Sequence, residues 1–293
     1  MVNEKLLTRL KTGISYTQAM NYGVCKYRVY LMLTVPKSVV FPEQLRGLLT
    51  HKVMECVFRD LPIPSLKEMY DKVMNLDRED VVQKRRMDWG KVDRKRFAED
   101  MEDYLTRFEV ACRSVKDTLL AEGYEVVSAE KEYIHTITSE HPPCSVEVVI
   151  HPDLVLRHPE KGIVILDLKT GKDFRNALYN SKQLVLYCAV LEKVLGTKAN
   201  TIGILKWDGI ELSLNYRSVS DFEKAEVLAH HGYMHLKINN SLQRLESGEL
   251  PHKAFYPNTR SRLCRRNTCS YFAYCPFGQE KEKREQGVND ETI

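Results

Sequence analysis

The stretch HPDLVLRHPEKGIVILDLKTGK, His151 to Lys172, decides how the chain is read. Residues 147–156 and 162–170 are rich in Val, Ile and Leu, and His158-Pro159-Glu160-Lys161-Gly162 breaks the run between them, which is the signature of a β-hairpin. A turn centred on Glu160 pairs residues whose numbers sum to 320, so Asp153 faces Asp167. Like charges in that position destabilise a sheet, and burying them costs more, unless a cation lies between them. Side chains alternate along a strand, so Lys169 emerges on the face of Asp167, next to whatever that cation holds.

The rest of the chain bounds what this hairpin belongs to. With 293 residues, 43% hydrophobic and 29% charged, it has the composition of a globular protein of one large domain or two small ones. No apolar run is long enough to span a bilayer and the first twenty residues lack the apolar core of a signal peptide, so an intracellular location is expected. A net charge of +4 is too small to indicate nucleic acid by itself, and any basic surface must come from local clustering. Eight cysteines without a secretory signal point to metal ligation or plain thiols. Cys56, Cys112, Cys144 and Cys188 stand among apolar residues as small buried hydrophobes. Cys264, Cys269 and Cys275 crowd together near the end, and Cys25 stands alone near the start. The chain has no Gly-x-x-x-x-Gly-Lys-Ser/Thr loop and hence no helicase motor of its own.

Hydrophobic periodicity sets the elements. Ser15 is a helix cap ahead of YTQAMNYGVCKYRVYLML. A helix from Glu43 to Phe58 carries Gly47, His51 and Glu55 on one face, with Glu55 either part of the His51 group or a surface carboxylate. After the break at Leu61 to Leu66, the spacing of Phe97, Met101, Tyr104, Phe108, Cys112, Val115 and Leu119 predicts a helical insertion over 61–123. Strand-like runs follow at Tyr124 to Thr136, Val146 to Arg157, Gly162 to Thr170, Thr201 to Lys206 and Ile210 to Tyr216. One helix from about Ala177 to Leu195 interrupts them, which predicts a mixed sheet flanked by helices over 124–216. Ser220-x-x-Glu223 opens a long helix to about Glu246, stopped at Gly248 and Pro251. The division expected is an N-terminal helical part at 1–60, the insertion, the sheet core, the long helix with the Cys-rich segment at 217–278, and a disordered polar tail at 279–293. His231 and His235, one turn apart, read as a solvated face.

Gly47-x-x-x-His51, Pro152-Asp153, Asp167-Leu168-Lys169-Thr170-Gly171 and Gln183-Leu184-x-x-Tyr187, in that order, resemble the RecB-like branch of the PD-(D/E)xK nucleases. The start region ISYTQAMNYGVCKYRVY is similar to that branch's entry segment. The resemblance implies an α/β restriction-endonuclease-like core, a mixed central sheet flanked by helices, here with an added helical segment and a C-terminal Cys-rich iron-sulfur region. In a subset that includes AddB-type helicase-nuclease subunits, CRISPR-associated spacer-acquisition nucleases and exonuclease V, one upstream Cys and three near the C-terminus hold a 4Fe-4S cluster. Cys25, Cys264, Cys269 and Cys275 fit that layout, and four cysteines equally suit a structural zinc. A cluster joining Cys25 to the trio closes a long loop, so its loss is expected to loosen the fold before it alters the chemistry. The chain departs from the family pattern at Ile150, where Gly is common, and at Lys26, where Pro often follows the first Cys.

The resemblance assigns His51, Asp153, Asp167 and the carbonyl of Leu168 to Mn²⁺ or Mg²⁺, and the imidazole tilts the choice towards Mn²⁺. Lys169 orients the attacking water and offsets transition-state charge, while Gln183 and Tyr187 position the substrate backbone or Lys169. The family often carries a Glu near the metal, and the sequence leaves Glu130 and Glu132 as alternatives. His151 is either a partner behind the ligands or an exposed histidine. Lys84 to Arg86, Arg94 to Arg96, Arg260, Arg262, Arg265 and Arg266 are candidate phosphate contacts, and Tyr256, Tyr271, Phe272 and Tyr274 candidate stacking platforms. The activity implied is a metal-dependent DNA exonuclease on single-stranded DNA or DNA ends, working alone or beside a separate helicase or recombination protein. The competing readings are a CRISPR-associated spacer-processing nuclease and a non-catalytic nucleic-acid-binding module with structural zinc.

Overall fold

The computed structural model describes residues 4–35, 37–77, 82–90, 92–140, 143–170, 178, 181–266 and 268–286. In chain order these form α1 (Glu4–Thr12), β1 (Gly13–Ser15), α2 (Tyr16–Val24), α3 (Lys26–Thr34), β2 (Lys37–Val40), α4 (Pro42–Phe58), α5 (Leu66–Met74), β3 (Asn75–Asp77), β4 (Val82–Met87) and α6 (Arg94–Ala121). There follow β5 (Glu125–Ala129), β6 (Tyr133–Glu140), β7 (Pro143–Ile150), β8 (Leu154–His158), β9 (Gly162–Thr170), α7 (Lys182–Leu195), β10 (Ala199–Trp207), β11 (Leu212–Ser218), α8 (Asp221–Glu246), α9 (Pro251–Ala254) and α10 (Pro276–Glu285). The chain divides into two compact units, one of residues 42–73 and 89–231, the other of 1–41, 74–88 and 232–293.

The first unit is built on a five-stranded sheet of order β11-β10-β9-β8-β5. β9 is antiparallel to β8 and parallel to β10, so the sheet is mixed. Val164, Ile165 and Leu166 of β9 have no exposed surface, which means that both sheet faces are covered; α4 and α7 pack against this strand. The hairpin register is the one read from the sequence: Leu154 pairs with Leu166, Leu156 with Val164 and His158 with Gly162. Gly162 closes the turn at φ 69°, a conformation favourable to glycine. The long run expected at Val146 to Arg157 is two strands. Pro152 has no N–H for the ladder and restricts His151, so the chain bends at 151–153 between β7, which pairs with β6, and β8, which pairs with β5 and β9. The run expected at Tyr124 to Thr136 breaks likewise at Glu130, whose φ is 51°. The two bends are tied together by the Glu130 amide donating to the Asp153 carbonyl at 2.9 Å.

α4 spans the stretch read as helical. The spacing in α6 also holds, with Phe97, Met101, Phe108, Cys112 and Leu119 buried. The segment 61–123 is not all helix, because it contains β3 and β4, two short polar strands hidden by their charge. The described part of α7 begins at Lys182, capped by the Ser181 hydroxyl on the Leu184 amide; Gly171 and Ala177 lie outside the described residues.

In the second unit β4 pairs parallel with β2 and antiparallel with β3. Its core gathers Leu10, Ile14, Tyr22, Val29, Ile238, Leu242 and Phe255. Ser15 caps α2 reciprocally with Gln18, and the Tyr22 hydroxyl lies 2.8 Å from that of Ser241. α8 starts at the expected Ser220-Glu223 capping box. Two readings are corrected by burial and helicity. His231 and His235 are buried, at 2% and 3% exposure, because the helix face that carries them turns inward. The polar tail forms α10 as far as Glu285, with Pro276 at its first turn and Arg284 paired to Glu280. No described helix is long and apolar enough to cross a membrane.

Candidate active site

Within the first unit, α4 and the two chain bends bring His51, Glu130 and Asp153 together, with one ligand atom from each lying within 4.8 Å of the others. His51 Nδ1 is 3.0 Å from Glu130 Oε1 and 3.4 Å from Asp153 Oδ2. The other oxygen of Glu130 lies 3.1 Å from His151 Nδ1. Asp153, just before β8, accepts the Leu168 amide of β9 at 2.7 Å. On the same strand Lys169 Nζ contacts Asp167 Oδ2 at 2.5 Å. Gly47 of α4 faces the end of β9, where a Cβ on it would be 3.4 Å from Thr170 Oγ1.

Electrostatics show a group short of positive charge. Burial and the neighbouring Asp153 push the Asp167 carboxyl up to about 6, against the pull of Lys169. Burial would lower the His51 pKa, but Asp153 and Glu130 outweigh it and hold the imidazole well above its ordinary value. Glu130 is moved the other way, down to about 2, because contacts with His151 and His51 overcome its burial. The triad keeps some access to solvent, with side-chain exposures of 29%, 16% and 13% for His51, Glu130 and Asp153. One imidazole, converging carboxylates and an open side suit a divalent cation of the Mn²⁺ or Mg²⁺ type.

Gln183 and Tyr187, one turn apart on α7, are joined by the amide donating to the hydroxyl at 2.7 Å. Tyr187 is buried, and its pKa is raised by burial and by the negative charge of Asp153 and Asp167. Of the two alternatives at the bend, Glu130 is the one that meets His51, and Glu132 is exposed. His151, only a quarter exposed, belongs to the group through Glu130. Glu55 pairs with Lys52 and Arg59 along α4. The Glu130 contact had one sequence signal, the resemblance to a family that often carries a Glu near the metal, and the left-handed backbone that aims it had none.

In the second unit Cys25, Cys264, Cys269 and Cys275 line one cavity with Tyr27, Leu31 and Phe272. Cys25 sits between α2 and α3 and its sulfur accepts the Asn258 amide at 3.3 Å; Cys275 caps α10 and accepts the Gly278 amide at 3.4 Å. Amides directed at sulfur favour thiolate. Burial, with the mutual repulsion of the sulfurs, raises the Cys264 and Cys275 thiols when no cation is present. Among the described residues no three of these sulfurs lie within 4.8 Å of one another. Tyr271 and Phe272, at 5% and 3% exposure, are packed inside and cannot stack bases, whereas Tyr256 is 64% exposed. The side chains of Lys84 to Arg86 and Cys144 lie outside the described ones.

The first unit is thus a mixed sheet flanked by helices, with Asp167 and Lys169 on β9 and Glu130 and Asp153 at the bends beside it. The family model of the PD-(D/E)XK nuclease superfamily matches residues 13–276, and the chain belongs to that superfamily. Among solved structures it is similar to a candidate exonuclease from Eubacterium rectale, at 14% identity over 85% of this chain and 88% of that one, with a TM-score of 0.46. It is also similar to SSO0001, at 13% identity over 89% of this chain and 96% of that one, with a TM-score of 0.35. No curated protein sequence matches it.

Proposed function

We propose that the protein is a metal-dependent DNA exonuclease of the RecB-like branch, acting on single-stranded DNA or DNA ends. The observation that carries this reading is the meeting of His51, Glu130 and Asp153 beside the Asp167–Lys169 pair. His51, Asp153 and Asp167 would hold the Mn²⁺ or Mg²⁺, with Glu130 joining or orienting them and the Leu168 carbonyl completing the set. A bound ion supplies polarisation of the scissile phosphate and a lowered pKa for its water. Lys169, kept in place by Asp167, aligns that water and offsets charge on the phosphate as the bond breaks. The Gln183–Tyr187 pair fixes the backbone of the substrate strand. Glu130 sets the His51 ring by its contact with Nδ1, and His151 holds the other end of the same carboxylate.

The four cysteines hold a 4Fe-4S cluster in this reading. A tetrahedral zinc with Zn–S bonds of about 2.3 Å draws its sulfurs to about 3.8 Å from one another. The apolar cavity that the four cysteines line together suits the larger cluster, to which each gives one thiolate. Its role is structural, joining the α2–α3 junction to the segment from Cys264 to Cys275.

The test is digestion of end-labelled linear single-stranded DNA, with a closed circle and a duplex alongside, in Mn²⁺ or Mg²⁺. Loss of the linear strand alone, abolished in Asp153→Ala and Lys169→Ala, is the expected outcome. Cutting of circles would replace the exonuclease by an endonuclease, and no cutting by protein with its iron complete would leave a binding module.

A further inference from the structure

We propose that Arg46 and Arg94 form a phosphate-binding track along α6 that leads the substrate strand to the active site. The inference rests on the nuclease reading above and extends it to how the strand is held.

On α6 the other arginines are neutralised by acids one turn away: Arg96 by Asp100, Arg107 by Asp103 and Arg113 by Glu109. Arg46 and Arg94 have aromatic rings instead. The Arg46 guanidinium lies 5.9 Å from the ring centre of Phe97 and 5.2 Å from that of Tyr104. It is half-buried, its Nε is buried without an acceptor, and among the described residues it meets no carboxylate at ion-pair distance. Taking a guanidinium partly out of water without an anion is costly, and ring faces offset only part of that cost. An arginine held against two rings, with no acceptor for its Nε among the described residues, is organised in advance for an oxyanion that arrives from outside, and a phosphodiester matches its guanidinium. Arg94 repeats the arrangement at the start of α6, 5.6 Å over the Trp89 ring, and is exposed.

Two contacts place Arg46 at the active-site end of this row. Its neighbour Gly47 faces Thr170, the residue after Lys169. Tyr104, which it covers, packs edge-on against Trp207 at 5.9 Å, and Trp207 is the partner of Thr170 across β9 and β10. At about 3.3 Å per residue along a strand, Thr170 lies about 10 Å beyond Asp167, within reach of the phosphates next to the one being cut. From Arg46 the row continues through Phe97, 5.3 Å from Trp89, to Arg94. Alternating cations and rings of this kind suit a single strand, whose backbone is tracked by charge and whose register is not fixed by base edges. The Arg94 part was legible as one basic run among several; Arg46 was not, because only the fold brings it to Phe97 and Tyr104.

The experiment measures binding of a labelled single-stranded oligonucleotide to the full chain in Mn²⁺, silenced by Lys169→Ala, over a series of salt concentrations, with a duplex of equal length alongside. Arg46→Gln and Arg94→Gln should each weaken binding about tenfold, and each should reduce the slope of log affinity against log salt by about 0.7, the value for one phosphate of a single strand. Arg46→Lys should keep the slope while losing affinity, since the charge remains and the fork does not. An unchanged slope in an Arg46→Gln protein that unfolds at the parent temperature overturns the track and makes Arg46 a packing residue. Should that variant fail to fold, exposed Arg94→Gln decides in the same way. Failure of the parent to bind any nucleic acid removes the nuclease reading and the track together, whereas binding by the parent and equal binding by both variants removes only the track.

Discussion

Asp167 holds Lys169 at 2.5 Å, and Asp153 raises the cost of charge on Asp167. Lys169→Ala should therefore lower single-turnover cleavage by about 10²-fold or more while leaving metal binding in place, because the loss falls on the transition state. The same carboxylates set a pH dependence. In the metal-free protein Asp167 binds its proton more tightly folded than unfolded, being raised from 3.8 to about 6, so its contribution to stability is greatest at low pH and is lost as pH rises through that value. His51, also raised, acts in the same direction above its ordinary pKa. Glu130, lowered to about 2, stabilises at every pH above its ordinary carboxylate value and loses that contribution only below it. Thermal unfolding of the chelated protein should thus shift downward between about pH 5 and about pH 7, by on the order of 2 kcal/mol, and saturating Mn²⁺ should reverse the trend. A rise over that interval without metal would mean that Asp167 is ionised throughout.

At the scale of elements, Gly203 in the core sheet has no room for a side chain. A Cβ on Gly203 of β10 would lie 2.6 Å from Leu166 Cδ2 and 2.8 Å from Tyr216 Cδ1, so Gly203→Ala should destabilise the protein by about 1–3 kcal/mol in denaturant melts. The β8–β9 hairpin was legible to the residue because its turn chemistry and its Val, Ile and Leu runs agree, and register then follows from the turn. Glu130 and His151 were less legible, since their roles depend on two bends tied by a backbone hydrogen bond, and a positive φ at a glutamate leaves no compositional mark. Charge misled in three places: β3 and β4 are polar enough to pass for helical surface, the acidic and basic residues of α10 pair within a helix, and His231 and His235 face inward from a helix whose other faces are polar.

For the whole molecule, the division into two units separates two kinds of site. The carboxylate cluster belongs wholly to residues 42–73 and 89–231, and the four cysteines to the other unit. Protein purified without oxygen should be brown and hold about four irons per chain. Cys269→Ser should remove the colour and lower the melting transition of the cysteine unit in calorimetry, with the transition of the sheet unit changed less, as units unfolding separately would show. One zinc per chain and no colour would contradict the cluster. The nuclease site itself is tested most directly by the rate of cleavage of a linear labelled single strand as Mn²⁺ is raised, in the parent, Asp153→Ala and Lys169→Ala proteins. The parent rate should saturate with Mn²⁺, Asp153→Ala should show no saturable rate, and Lys169→Ala should saturate at a rate lower by about 10²-fold or more. Cleavage by Asp153→Ala at the parent rate and with the parent's Mn²⁺ dependence would place the chemistry elsewhere.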